Sequence, residues 1–335
     1  MDSLTQIVLG AAVGEAVAGR KIGNKAALWG AIGGTIPDLD VFLRAFYDPL
    51  DAVLVHRGFS HSLLFACLVG PALGYLFHFL TKKKYTFKMW FLLWFLSIVT
   101  HPMLDIFTNY GTQFFWPFSW RLTFNSVFVI DPLYTLPFMV LLIGALFMKR
   151  ESQRRRNWNR AGIIYSCIYL LWGVVVKLCV YGNSDSYFAQ AGVHPKRTMV
   201  TPMPLTSFYW DLIAEDDTAY YIGYKSLFAS FNPKDLEVIP KRHELLKQID
   251  WNGNPRINQI KHITNDYYAV SQSGDSLIVY DLRFGTTTLF TAKKSQTPLM
   301  GYGFKLHSDA VPFSYRTRDF SQVDFPFYLK KVMGN

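Results

Sequence analysis

The chain has 335 residues, half of them hydrophobic and 17% aromatic, with a formal charge of +10 at neutral pH. The charge is uneven: residues 1–180 hold 17 Lys and Arg against 9 Asp and Glu, and residues 181–335 hold 17 against 15. The excess lies in short loops between apolar runs, where it reads as topology determinants and contacts with anionic lipid headgroups, so no nucleic acid is expected as a partner.

In chain order, Met1–Gly19 lacks the basic start and clean cleavage pattern of a signal peptide and reads as a retained helix. Leu4–Ala18 and Ala26–Ile36 are short, with Gly10, Gly14, Gly30, Gly33 and Gly34 forming small faces that let helices approach closely in lipid. Glu15 stands out in the first of them, either as a structural hydrogen-bond partner of a neighbouring helix or in a direct role. Four runs then have the length and apolarity of membrane spans: Ser62–Leu80, Phe87–Phe107, Val127–Met148 and Gly162–Val180. Cys67, Cys167 and Cys179 fall inside these runs without metal-type spacing and are assigned to packing.

After Val180 the pattern changes. Tyr181–Lys196 reads as a polar linker. Phe208–Ala214, Ala219–Tyr224, Tyr267–Ser271, Ser276–Asp281 and Thr286–Phe290 alternate as strands, and Leu236–Ile249 reads as a helix. Asn265-Asp266 and Ser273-Gly274-Asp275 are turn signals. The expected architecture is an α-helical membrane bundle over 1–180, with four clear spans plus two short N-terminal helices. A soluble α+β domain over 181–335 follows it.

Lys and Arg in short loops set the orientation. Lys82, Lys83, Lys84 and Lys88 follow the first span, and Lys149, Arg150, Arg154, Arg155, Arg156 and Arg160 lie between the third and fourth, while the 108–126 loop holds only Arg121. The basic loops are therefore expected in the cytoplasm, in a multi-pass protein of the inner (plasma) membrane with its C-terminal domain extracytoplasmic. This topology sorts Asp38, Asp40, His56, His61, His101, Asp105 and Asp131 to one membrane face, the outer one. His101 and Asp105 share a helical face at i and i+4, and Gly58 allows a turn between His56 and His61. Three imidazoles and three carboxylates suit a divalent metal, Zn²⁺ first, with Mn²⁺ or Fe²⁺ as alternatives, in one or two ions. Each residue also has a plainer reading: Asp38 as a turn residue, Asp131 as a helix cap, His61 as the cap of its own helix. His78, His194, His243, His262 and His307 are read as ordinary. Trp116, Phe118 and Trp120 resemble an interfacial aromatic belt.

Several motifs carry a family resemblance. Pro37-Asp38-Leu39-Asp40, His56-Arg57-Gly58-Phe59-Ser60-His61-Ser62, Thr100-His101-Pro102-Met103-Leu104-Asp105, Thr108-Asn109-Tyr110-Gly111-Thr112 and Trp116-Pro117-Phe118 together resemble the YdjM-like family of inner-membrane-bound, metal-dependent hydrolases. The resemblance covers roughly residues 1–180 and implies a metal site of Asp38, Asp40, His56, His61, His101 and Asp105. A more distant likeness to zinc-dependent phospholipase C implies phosphoester chemistry. One departure is Thr5-Gln6, where many family members carry Thr-His.

The function expected is a membrane-embedded metallohydrolase acting on a phosphoester or ester of a lipid or lipid-linked substrate. Arg57 would hold the substrate anion and Asp131 would orient a ligand histidine. The rival readings are a non-catalytic scaffold with a structural metal and, ranked lower, a metal-ion transporter.

Overall fold

Two helices rich in small residues start the chain. α1 (Ser3–Ile22) is capped by Asp2, whose carboxylate accepts from the Thr5 amide, and α2 (Lys25–Thr35) follows a turn at Gly23. Glycines set their separation. A Cβ on Gly14 would lie 2.2 Å from the Ala26 carbonyl oxygen, and one on Gly30 2.2 Å from that of Gly10. The backbones thus touch, as small faces permit. A 3-10 stretch, Ile36–Phe46, leads Asp38 and Asp40 off the end of α2. α3 (Pro49–Val55), a 3-10 turn at Phe59–His61, and α4 (Leu63–Leu80), capped by Ser62, come next. α5 (Phe87–Asp105), α6 (Pro132–Leu146) and α7 (Gln153–Gly182) complete the apolar helices.

The computed structural model describes residues 1–248, 255–291, 297–306, 312–316 and 323–334. The chain divides into two units: Met1–Phe42 with Val55–Val174, and Leu43–Leu54 with Val175–Asn335. Residues 43–54, which the sequence reading leaves in the membrane part, thus group with the second unit. The reason is packing that hydropathy does not report, described below.

Among the described residues three helices are long and apolar enough to cross a membrane: α4, α5 and α7. The fourth expected span is not among them. The run Val127–Met148 yields a helix of 15 residues, about 22 Å long against a hydrocarbon core of roughly 30 Å. Its first residues are spent before the helix, because Asp131-Pro132 is a strong start signal: the Asp131 carboxylate caps the Leu133 and Tyr134 amides. Helix α5 is the most enclosed of the three, with Trp90, Leu93, Trp94 and Ile98 all buried. By contrast Leu68, Leu76 and Leu80 on α4 and Ile164, Ile168 and Leu171 on α7 are exposed, as lipid-facing residues are. The three cysteines are free and exposed. They sit on the outward faces of their helices, not in the packing expected for them.

Glu15 finds its partner on α7. Arg155 Nε and Nη2 donate to its two carboxylate oxygens at 2.6 Å each, and both side chains are buried. A third bond, from Arg155 to the Met148 carbonyl, and a fourth, from Asn159 to that of Ala12, fix the start of α7 within the first unit.

In the second unit α8 (Ser184–Ala189) occupies part of what the sequence reads as a linker. Two four-stranded antiparallel sheets follow. The first runs β1 (Arg197–Pro202), β2 (Tyr209–Glu215), β3 (Ala219–Ser226) and β4 (Glu237–Pro240) in that order. The second runs β5 (Tyr268–Ser273), β6 (Ser276–Thr286), β7 (Pro298–Lys305) and β8 (Phe313–Arg316). Their apolar faces meet through Ile213, Ile222 and Ile239 from the first sheet and Ala269, Ile278 and Leu282 from the second. The β5–β6 hairpin turns at Gly274, and Asn265 and Asp266 take positive φ, as the turn signals predict. Two expectations are corrected. Leu236–Ile249 is not one helix: it forms β4 and a 3-10 stretch, His243–Gln248, because Pro240 ends the strand, while Ile249 lies outside the described residues. Thr286–Phe290 is not a strand either. Thr286 closes β6 and Thr287–Leu289 is a 3-10 turn. α9 (Pro255–Thr264) and α10 (Phe325–Met333) pack on this unit through Ile260 and Ile263, and through Tyr328 and Val332.

Candidate metal centre

Helix α5 supplies two residues at its last turn. His101 and Asp105 lie one turn apart and both are buried. The 3-10 turn after Gly58 supplies His61, fully buried. The 3-10 stretch after α2 supplies Asp38. Four atoms converge. His61 Nε2 and His101 Nε2 are 3.2 Å apart. Asp38 Oδ1 is 3.3 Å from the first and 3.4 Å from the second. Asp105 Oδ2 is 3.7 Å from each.

These separations are informative. Ligand atoms at 2.0–2.1 Å around a tetrahedral ion stand roughly 3.3–3.4 Å from one another. The three edges among His61, His101 and Asp38 are close to that value, and the two from Asp105 to the imidazoles are longer, at 3.7 Å. The other ring nitrogens are engaged elsewhere: His101 Nδ1 faces the Gly34 carbonyl oxygen at 2.5 Å, and His61 Nδ1 lies 2.9 Å from Ser60 Oγ and 3.5 Å from Asp40 Oδ2. A carbonyl accepts only, so the His101 Nδ1–H donates to it. Two imidazole nitrogens and two carboxylate oxygens packed this closely are able to hold a cation. The donor set therefore fits a metal ion.

The surroundings hold these donors in place. Asp40 accepts from Ser60 Oγ at 2.5 Å and lies 2.7 Å from His56 Nδ1. Asp38, His56 and His61 form a second group whose ligand atoms lie within 4.8 Å of one another. Gln6 donates to Asp105 Oδ1 at 3.1 Å and to the His101 carbonyl at 3.3 Å, and its buried Oε1 has no partner among the described residues. The Met1 amino group also donates to Asp105 Oδ1. Burial alone would raise the Asp38 carboxyl, but bonds from His101 and His61 outweigh it and hold it well below the usual range. Asp40 is lowered in the same way by His56 and His61. Burial would lower His61, yet Asp38 and Asp40 raise it, whereas for His56 burial prevails and lowers it.

Arg57 stands beside the cluster in the left-handed region, at φ +65°, a conformation costing a non-glycine residue on the order of 1 kcal/mol. Its buried guanidinium lies 3.6 Å from Asp105 Oδ2, donates to Thr108 Oγ1 at 3.0 Å and stacks 5.0 Å over the Tyr110 ring. The loop after α5 is stapled across this corner: the Gln113 amide donates to the Arg57 carbonyl, and Thr112 and Leu122 exchange backbone bonds. Trp116, Phe118 and Trp120 on that loop are exposed.

Asp131 is used differently. Besides capping α6, it accepts from Tyr169 Oη at 2.8 Å, and burial raises its carboxyl. The Gly34 carbonyl, Ser60 and Thr108 are contacts that the sequence reading does not single out. Ser60 lies inside the His56–His61 motif and was open to notice, whereas a backbone carbonyl leaves no signal in residue type. His243 accepts a plainer role, facing the Tyr268 carbonyl and stacked on its ring. His307 lies outside the described residues.

Comparison with known proteins fits this picture. The model of the YdjM inner membrane protein family matches residues 1–179. The chain belongs to that family. Among curated proteins it is 35% identical over 130 residues to the uncharacterized protein YfhP of Bacillus subtilis (strain 168). That match covers 36% of this chain and 38% of YfhP. No solved structure matches. The family and the apolar helices place the protein in a membrane, and its buried His and Asp groups are able to hold a metal ion.

Proposed function

We propose that this protein is a membrane-embedded metal-dependent hydrolase. Its substrate is the phosphoester or ester of a lipid or lipid-linked molecule, met at the outer membrane–water interface. The observation that carries the reading is the convergence of His61, His101, Asp38 and Asp105 at the end of a membrane helix. Zinc is the first choice for mixed nitrogen and carboxylate donors, with Mn²⁺ or Fe²⁺ behind it. Such an ion lowers the pKa of water and polarises a phosphoryl or carbonyl oxygen.

The chain's own residues do the rest. Asp40 and Ser60 fix the His61 ring, and Gly34 fixes that of His101, so both present Nε2 to the same point. Asp38 is the least enclosed donor, with about a quarter of its side chain accessible (23%), which makes it the side from which substrate approaches. His56, within reach of Asp38 and His61, lies where a second ion or a proton acceptor is wanted. Arg57 places a positive charge next to Asp105, suited to a phosphate. The exposed Trp116, Phe118 and Trp120 give the neighbouring loop a face for the bilayer interface.

A second reading draws on the same geometry. Four protein donors around one point make a closed set, which is the habit of structural zinc. Metal analysis of detergent-purified protein, followed by assay against bis(p-nitrophenyl) phosphate and phospholipid vesicles, separates the two. Stoichiometric metal with metal-dependent turnover that His56→Ala and Arg57→Ala reduce supports the hydrolase. Stoichiometric metal without turnover of any ester supports the structural role. Protein that takes up no Zn, Mn or Fe after reconstitution overturns both.

A further inference from the structure

Between Asp40 and His56 the chain leaves the first unit and comes back. Phe42 is the last residue of the first unit before the excursion and Val55 the first after it; residues 43–54 belong to the second unit. The excursion starts just after one residue of the candidate metal centre and ends immediately before another. At its base Asp40 and His56 are 2.7 Å apart.

The second unit holds this segment firmly. Asp48 caps α3, accepting from the Leu50 and Asp51 amides at 2.9 and 3.0 Å. Arg256 on α9 then clamps the start of the helix: its Nη2 reaches Asp48 at 2.6 Å and its Nη1 reaches Asp51 at 2.9 Å. Gln259, one turn on, donates to Asp51 at 2.9 Å. Leu50 is fully buried in an apolar cluster with Leu246, Ile260, Ile263, Tyr268 and Leu277. One arginine bridging two carboxylates at a helix start, over a buried leucine, leaves α3 little freedom of its own.

We propose that Arg256 is a positioning residue for the metal centre. It anchors α3, α3 delivers His56, and His56 with Ser60 holds the Asp40 carboxylate that steadies His61. Arg256 therefore acts on metal affinity through the chain, by way of α3 and His56. This rests on the metal-centre reading. It differs from a purely structural role because α3 contributes nothing to the donor set itself.

The test uses full-length protein in detergent, with Co²⁺ replacing the native ion so that its absorption spectrum reports ligand geometry. Variants are Arg256→Ala, Arg256→Lys, the milder Gln259→Ala, His101→Ala and, as a control, Arg197→Ala. The control breaks a different ion pair of the second unit, with Glu215 at 2.6 Å. Arg256→Ala is expected to weaken Co²⁺ binding roughly tenfold, the lower end of what loss of a ligand's outer partner does, and to change the cobalt spectrum. Gln259→Ala should shift both in the same direction by less, Arg256→Lys should recover part of the loss, and Arg197→Ala should do neither. If Arg256→Ala and Gln259→Ala both bind Co²⁺ like wild type with an unchanged spectrum, the coupling is wrong. Equal losses in Arg256→Ala and Arg197→Ala also overturn it, since general destabilisation then explains the effect. Wild type that binds Co²⁺ while His101→Ala does not confirms the metal centre separately, so the two ideas fail by different results.

Discussion

Helix α1 touches two buried polar groups that solve the same electrostatic problem in different ways. Towards one end Glu15 meets Arg155 in a two-pronged ion pair, one negative charge against one positive, with both carboxylate oxygens bonded. Towards the other, Gln6 leans on a cluster where His61, His101, Asp38 and Asp105 crowd together. The first group is complete within the protein. The second collects electron-rich atoms at the spacing of an ion's ligands. Both are polar and buried, so burial does not tell a structural pair from a site. The balance of charge and donors does.

That contrast can be broken at either end. The largest effect is expected at the ion pair. Arg155→Ala leaves Glu15 charged and unpaired, which costs about 3–5 kcal/mol for a buried pair, whereas Glu15→Gln with Arg155→Met should restore most of the loss. Thermal unfolding in detergent, with and without added Zn²⁺, reads both, and neither should depend on metal. A double variant as unstable as the single one would show that the pair does more than cancel charge. At the cluster the size of the effect should depend on metal. His101→Ala should cut metal affinity more than about 100-fold, beyond what outer partners contribute. Asp38→Asn should lower the melting temperature of the metal-free protein, since the bonds from His101 and His61 to the carboxylate are weakened, and lower that of the loaded protein by more. Equal shifts with and without metal would mean that the four atoms do not act as a cation site.

Between these lies Asp40, which touches the centre only through its neighbours. Asp40→Asn keeps the shape but weakens its hold on His56 and His61, so a loss of roughly tenfold to 100-fold in metal affinity is expected by isothermal titration. No change would assign Asp40 to the turn alone.

The sequence made the site far more legible than the frame around it. Asp38, His61, His101 and Asp105 were readable because polar residues at the ends of apolar runs need a reason, and helical spacing placed His101 and Asp105 on one face. The same logic overstated α6, since hydropathy counts residues and does not see that Asp131-Pro132 begins the helix late. It also missed α3. Seven residues with one buried leucine carry no periodic signal, and their anchor, Arg256, lies some 200 positions away. In the second unit strands with alternating patterns were found, but β1, β7 and β8 were not singled out. Nor does residue type reveal the Gly34 carbonyl that fixes His101.

A third buried carboxylate sharpens the comparison. Asp211 on β2 is fully buried, and neither of its oxygens has a partner among the described residues. It has no arginine like Glu15 and no converging imidazoles like Asp38. Burial, with the charge of Glu237, pushes its carboxyl well above the usual range, so its remaining solution is to keep its proton. The sign follows. The folded form binds the proton more tightly than the unfolded one, whose value is near 3.8. Stability from this residue is complete below that value and declines as pH rises towards the folded pKa. Asp211→Asn replaces the neutral acid by a neutral amide of the same shape. Thermal unfolding of the variant from pH 4 upward should therefore fall less steeply with pH than wild type, with the two curves closest at the acid end. Parallel curves would mean that Asp211 is ionised in the fold, and a counter-charge would then have to be sought beside it.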